Sequence, residues 1–227
     1  SYNGFSSAPA KTRTIVSRQN FVEQMQYLKD NGYVVISMDE FFEFLEFKGE
    51  LPPKSVVLTF DDGWCSQYEI AFPVLKQFGY PVTLFLYTDL IHENTCLSWD
   101  QVKEMQESGF TVGNLSKTHR DLSRPKGDES YTQYFGAIQD EVDGAEERIK
   151  NKLGVKTAYF AYPYGASSDL LIAFLKKRGY RGGFKVAPGG NPFYRDKFQL
   201  KRSVIYGDYD IDSFADKLNI FIGQKLQ

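Results

Sequence analysis

The stretch Val56-Val57-Leu58-Thr59-Phe60 is apolar and β-branched without alternation, and it stops at Asp61-Asp62-Gly63. Unbroken apolar character over so short a span suits a strand covered on both faces, as in a parallel sheet sheathed by helices. The same signature recurs from Val82 to Leu86. Helical patterns fill the intervals. Phe21, Met25 and Leu28 recur at helical spacing before Gly32, and Tyr33 to Ile36 then reads as a short strand. Ser37 with Glu40 has the form of a capping box, followed by Phe41, Phe42, Phe44 and Leu45 until Gly49 and Pro52-Pro53.

The alternation continues to the end of the chain. Helices are expected over 66–78 and 99–108, and a long one carries Ile138, Val142, Ala145, Ile149 and Leu153 on one face. Strands are expected at 110–113, 158–161, near 180–184 and near 200–205, with further helices at 169–178 and 211–222. No repeat, low-complexity stretch or linker interrupts the 227 residues, so residues 1–227 read as one domain. Six or seven β/α units without a dinucleotide-type glycine fingerprint favour an α/β barrel over a doubly wound sheet. A flavodoxin-like sheet is the alternative.

Charge narrows the partners. With 27 Lys and Arg against 29 Asp and Glu, and no basic block, the chain has no electrostatic footprint for nucleic acid or an anionic membrane. A neutral or small substrate fits better. No segment has the apolar length of a membrane span, and no signal peptide is present. Ser1 to Phe5 leads directly into structured-looking sequence, as in a domain excised from a longer chain. Cys65 and Cys96 are the only cysteines, and their segments show no paired spacing, so neither a disulfide framework nor a zinc ribbon is expected. Cys65 lies three residues after Asp62, within approach of a metal there, but reads as a buried structural thiol.

Asp61 and Asp62 would sit at the C-terminal end of their strand, where the loops of α/β folds converge. Two adjacent acids repel, and a divalent cation bound to one, leaving the other as a base, would relieve this. Capping of a helix starting near Ser66 is the competing reading. Two further strand-end loops carry chemistry. One runs Gly113-Asn114-Leu115-Ser116-Lys117-Thr118-His119, the other Ala161-Tyr162-Pro163-Tyr164-Gly165.

In this order and spacing the three segments resemble the polysaccharide deacetylase family, carbohydrate esterase family four, with its NodB-homology domain. The resemblance spans nearly the whole chain. Thr59-Phe60-Asp61-Asp62-Gly63 matches the first family motif outright, and Leu51 to Leu58 and Gly79 to Phe85 look like the branch that deacetylates biofilm poly-N-acetylglucosamine. Phe160 to Gly165 is similar to that branch's third motif, with Ala161 where other branches carry arginine. The resemblance implies an irregular (β/α)7 barrel, an exported protein, and metal-assisted hydrolysis of N-acetyl groups on an amino-sugar polymer. Asp61 would be the general base, and Asp62 and His119 ligands of zinc, nickel or cobalt. The backbone around Tyr162 to Tyr164 would hold the oxyanion, and Trp64, Tyr162, Pro163, Tyr164 and Gly165 would contact acetylated polysaccharide.

The sequence departs from that pattern at two histidines. The first ligand histidine of the second motif falls on Leu115, or on Asn114 if the local spacing is one residue longer. Leucine binds no metal, and an amide oxygen is a weak donor to these ions. The general-acid histidine of the biofilm branch falls on Asn3. His92 is expected to be a surface loop residue. Three readings result: an N-deacetylase with a degraded metal and acid site, an inactive relative that binds glycan, or a partner-docking domain.

Overall fold

The computed structural model describes residues 1–8, 12–91 and 96–218. Its elements in chain order are β1 (Gly4–Ser6), β2 (Ile15–Ser17), α1 (Arg18–Asp30), β3 (Val34–Val35), α2 (Met38–Leu45), β4 (Ser55–Val56) and β5 (Thr59–Asp62). A π-helical turn (Gln67–Ala71) runs into α3 (Phe72–Phe78), followed by β6 (Thr83–Leu86), α4 (Trp99–Glu107), β7 (Thr111–Asn114) and α5 (Tyr131–Leu153). β8 (Tyr159–Ala161), α6 (Asp169–Arg178), β9 (Gly182–Val186), β10 (Leu200–Arg202) and α7 (Ile211–Leu218) complete the described fold.

The central sheet is all parallel, in the order β10-β9-β8-β7-β6-β5, and curls into a half-barrel. β1-β2 and β3-β4 form two further parallel pairs. Residues 1–3 lie across the open side. Tyr2 N donates to Thr59 O at 2.9 Å and Asp61 N to Tyr2 O at 3.0 Å, while Ile205 N donates to Ser1 O at 2.9 Å. This segment therefore hydrogen-bonds to β5 on one side and to the chain just after β10 on the other, bringing Asn3 to the C-terminal rim.

Local chemistry explains the helix starts. Ser37/Glu40, Ser98/Gln101 and Ser130/Gln133 form reciprocal capping boxes that satisfy otherwise unpaired amides at the first turns of α2, α4 and α5. Gly154 ends α5 in the left-handed conformation. The buried stripe of α5 includes Ile138, Val142, Ala145 and Ile149, as the spacing predicts. The expected unbroken helix at 66–78 differs: its first turn is π-helical, and the α-helix begins at Phe72. The strand expected near 200–205 extends only from 200 to 202. β1 and β2, three residues each, were not anticipated. Residues 219–222 of the expected last helix, and His92, lie outside the described residues.

Strand alternation divides the sheet residues between two cores. Phe60, Leu84, Leu86 and Val112 face the helical layer with Leu75, Val102 and Met105. Phe85, Leu115, Tyr159, Ala161, Phe184 and Leu200 pack on the other face with Met38 and Phe42. The pairing Asp61–Phe85–Gly113 and Asp62–Leu86–Asn114 fixes this parity across β5, β6 and β7. Asp61 and Arg202 share the second face with Phe85; Asn114 belongs to the first.

Candidate active site

A cleft of about 200 Å³ opens at the rim, lined by Asn3, Asp61, Asp62, Leu115, His119 and Tyr164, with Tyr162, Val186 and Val204. The turn at its base is held by backbone geometry. Asp62 has φ +75° and Gly63 φ +105°, and a Cβ on Gly63 would lie 2.4 Å from Ile91 Cδ1. Only glycine fits there. Of the five described non-glycine residues with positive φ, four are Asp62, Ser116, His119 and Tyr164. Backbone strain is thus concentrated on the loops that carry the cleft, a pattern common at functional sites.

Asp61 is buried and ion-paired. Its Oδ1 accepts from Arg202 Nη1, and its Oδ2 accepts from Ser1 Oγ at 3.2 Å. Arg202 also donates to Thr59 Oγ1 at 3.2 Å and lies with its guanidinium carbon 4.8 Å from the Phe85 ring centroid. Sequence reasoning passed over Arg202; its signal was a cation placed by alternation on the same strand face as the apolar Leu200. The compensating charge comes from β10, while Ala161 is fully buried. The fully buried Gln67, also missed, donates from Nε2 to Asn3 O and Asp61 O, both at 2.6 Å, tying two segments of the rim together.

Asp62 has a different surrounding. Its Oδ2 accepts from Trp64 Nε1 at 3.0 Å and Asn3 Nδ2 at 3.2 Å, and its Oδ1 stands 3.7 Å from His119 Nε2. Burial, followed by the charge of Asp61, pushes its carboxyl above the usual carboxylate range, against the pull of His119, Trp64 and Asn3. These partners, and the distance to the next helix, do not support the reading of the acid pair as a simple helix cap.

The His119 ring sits between Tyr164, edge-on at 4.7 Å, and Tyr87 at 5.6 Å. Its loop is anchored from beneath by Glu141 on α5, which accepts from Lys117 N at 3.1 Å, from Thr118 N at 2.8 Å and from Thr118 Oγ1. Ser116 Oγ accepts from His119 N at 3.0 Å. Glu141 is buried and was not anticipated, because the reading of α5 followed only its apolar stripe.

The two positions expected for the first ligand histidine of the second motif separate cleanly. Leu115 lines the cleft. Asn114 is fully buried on the opposite face and its amide is committed: Nδ2 donates to Tyr180 Oη at 2.8 Å and Val142 O at 3.1 Å, and Oδ1 accepts from Ser116 N at 2.7 Å. Asn114 is therefore not disposed as a ligand; strand parity turns it toward α5. Among the other expected contacts, Tyr164 is 70% exposed on the cleft, whereas Tyr162 is 1% exposed and donates from Oη to Phe198 O, so it cannot serve as a stacking platform. Trp64 orients Asp62, and Pro163 and Gly165 shape the turn that presents Tyr164. Cys65 points its sulfur at the Cys96 carbonyl oxygen.

A resident catalytic metal of the zinc type takes three protein ligands and an open position. Two donors held about 2.1 Å from a common ion would stand roughly 3.4 Å apart, so the 3.7 Å between Asp62 Oδ1 and His119 Nε2 is near that spacing. Leu115 lines the same cleft and offers no donor. Among the described residues no three His, Cys, Asp or Glu side chains are grouped to hold a metal ion. Asp62 and His119 are the residues of the cleft that could hold such an ion.

A family model described as polysaccharide deacetylase matches residues 48–183. The poly-beta-1,6-N-acetyl-D-glucosamine N-deacetylase of Staphylococcus epidermidis is 31% identical over 202 residues, covering 85% of this chain and 68% of that protein. IcaB from Ammonifex degensii superposes with a TM-score of 0.76 at 26% identity, covering 96% of this chain and 94% of that one. The Streptococcus pyogenes deacetylase PplD, solved in complex with acetate, has the same fold, with a TM-score of 0.85 at 23% identity over 96% and 95% of the two chains. This chain spans about two thirds of the length of its curated relatives, from 64% to 69%.

Proposed function

The chain belongs to the polysaccharide deacetylase family, and from that premise we propose that its rim cleft binds an N-acetylated amino-sugar unit of a polysaccharide and hydrolyses the acetamide only slowly. The observation that carries this reading is the coexistence of a retained, internally braced acid pair with Leu115 on the cleft wall. Asp61, buried and hydrogen-bonded to Arg202, is the group to take a proton from an attacking water. Asp62 and His119 face the reacting carbon, and Tyr164 offers an exposed ring for the apolar face of a sugar. Asn3 occupies the acid's place, and its amide donates to Asp62 but has no proton to deliver to a departing amine.

Magnitudes support slowness. Loss of a general acid removes roughly 10²–10⁴ in rate, and disturbing even the outer partners of a metal costs about 10- to 100-fold. The engagement of Asp62 Oδ2 by both Asn3 and Trp64 favours a second reading in which the cleft binds glycan without turnover. An exported location accompanies either reading; no helix among the described residues is long and apolar enough to cross a membrane.

Calorimetric titration with acetylated glucosamine oligomers tests the binding step common to both. Tyr164→Ala should weaken binding several-fold, as expected for ~1 kcal/mol of ring contact. Absence of binding across a panel of such oligomers eliminates the proposal.

A further inference from the structure

Cys65 and Cys96 are remote in sequence, and the fold brings them together beside the acid-bearing turn. Trp64 and Cys96 pair in an antiparallel bridge. Leu97 N donates to Gly63 O at 2.8 Å, and the Cys65 thiol rests on the Cys96 carbonyl oxygen. Residues facing one another in an antiparallel bridge have Cα atoms about 4.5–5.5 Å apart. Cys65 is the residue after Trp64, which puts it within reach of the window of about 4.4–6.8 Å that disulfides use.

We propose that Cys65 and Cys96 are a disulfide site whose bond fastens the turn bearing Asp61, Asp62 and Trp64 to the segment at Cys96-Leu97. The oxidant is an external disulfide, either a small molecule such as oxidised glutathione or a thiol-oxidising protein. Cys65 is half-buried and Cys96 is 3% exposed, so Cys65 meets the oxidant first. The Cys65 thiolate attacks one sulfur of the oxidant, forming a mixed disulfide and releasing one thiol. The Cys96 thiolate then attacks the Cys65 sulfur and expels the second thiol. One oxidant disulfide is reduced to two thiols, two cysteines become one cystine, and two protons pass from the cysteines to the leaving thiolates. The Trp64–Cys96 bridge and the contact of the Cys65 sulfur with the Cys96 carbonyl already hold the two segments side by side. Burial, then the charge of Glu69, raises the Cys65 thiol, so exchange is slow at neutral pH.

The chain is incubated with oxidised glutathione at mildly alkaline pH, denatured, alkylated and analysed by mass spectrometry without reduction. The expected result is loss of both alkylation sites, a cross-linked peptide joining Cys65 to Cys96, reversal by dithiothreitol, and a rise of several degrees in Tm that Cys65→Ser abolishes. Full alkylation of both cysteines, arrest as a glutathione adduct on Cys65, a cross-link between two chains, or a Tm rise that persists in Cys65→Ser overturns the proposal.

Discussion

Arg202 and Asp61 meet as a buried ion pair between β10 and β5, the two edges of the six-stranded sheet. Their side chains are 6% and 9% exposed, so neither charge is relieved by water. The guanidinium is incompletely satisfied: Nε and Nη2 have no hydrogen-bond partner among the described residues, and its face rests on Phe85. Such a pair is costly to break but contributes little net stability over an apolar pair of similar volume.

Arg202→Met should therefore destabilise the fold by about 3–5 kcal/mol, because Asp61 is left buried and uncompensated. Combining it with Asp61→Leu should restore most of the loss. Urea unfolding of the two single variants and the double variant checks this cycle. Additive losses would show that the two side chains are not coupled.

Asn114 is assigned a structural role, so Asn114→Leu should cost about 1–3 kcal/mol by removing the bonds it makes to the Ser116 amide, the Val142 carbonyl and the Tyr180 hydroxyl. Zinc, nickel and cobalt titrations of that variant should match the parent. A loss of metal affinity with unchanged thermal stability would reverse the assignment.

Glu141 braces the loop carrying His119, through bonds to two backbone amides. Hydrogen bonds to a charged acceptor contribute about 1.5–3 kcal/mol. Glu141→Ala should speed hydrogen exchange at Lys117 and Thr118 by about tenfold or more, one decade per 1.4 kcal/mol. Unchanged exchange at those amides would mean the loop is held by its other bonds, with Asn114, Ser116, Thr88 and Asp89.

Acid stability should depend on Glu46. Its carboxylate is held down to about 2 by the hydrogen bond from Lys48 and, after the opposing cost of burial, by Arg181 and then Lys197. A carboxyl lowered in the folded state stabilises fully above its ordinary value of 4.5, and that contribution disappears as pH falls through about 2. Unfolding curves recorded across this window should show a shallower acid limb for Glu46→Gln than for the parent. Coincident limbs would assign the acid sensitivity to other carboxylates.

Much of this arrangement was legible because it is local. The apolar run ending in Asp61-Asp62-Gly63, the Ser37/Glu40 capping box and the stripe of α5 each declare themselves within a few residues, and the barrel followed from their alternation. Arg202 and Glu141 were not legible, because their partners lie 141 and 23 to 24 residues away and no local pattern links them. The choice between Asn114 and Leu115 could have been drawn from sequence parity. In a strand running to 114, residues 112 and 114 share the face of the helical layer, and 113 and 115 the other. Asp62 escapes that parity because its positive φ swings it to the rim. The proximity of Cys65 to Cys96 rests on a bridge between residues 32 apart in sequence, Trp64 and Cys96, which no local pattern announces.

The central claim is that Leu115 and Asn3, and not the acid pair, limit turnover in this cleft. Acetate release from an N-acetylated β-1,6-glucosamine oligomer, measured with added zinc, nickel or cobalt, tests it across the parent, Asp61→Asn, and the double variant Leu115→His with Asn3→His. The account predicts a parent barely above Asp61→Asn and a double variant at least ~10²-fold faster, from the recovered ligand and acid. A parent that already releases acetate as fast as the double variant would contradict it.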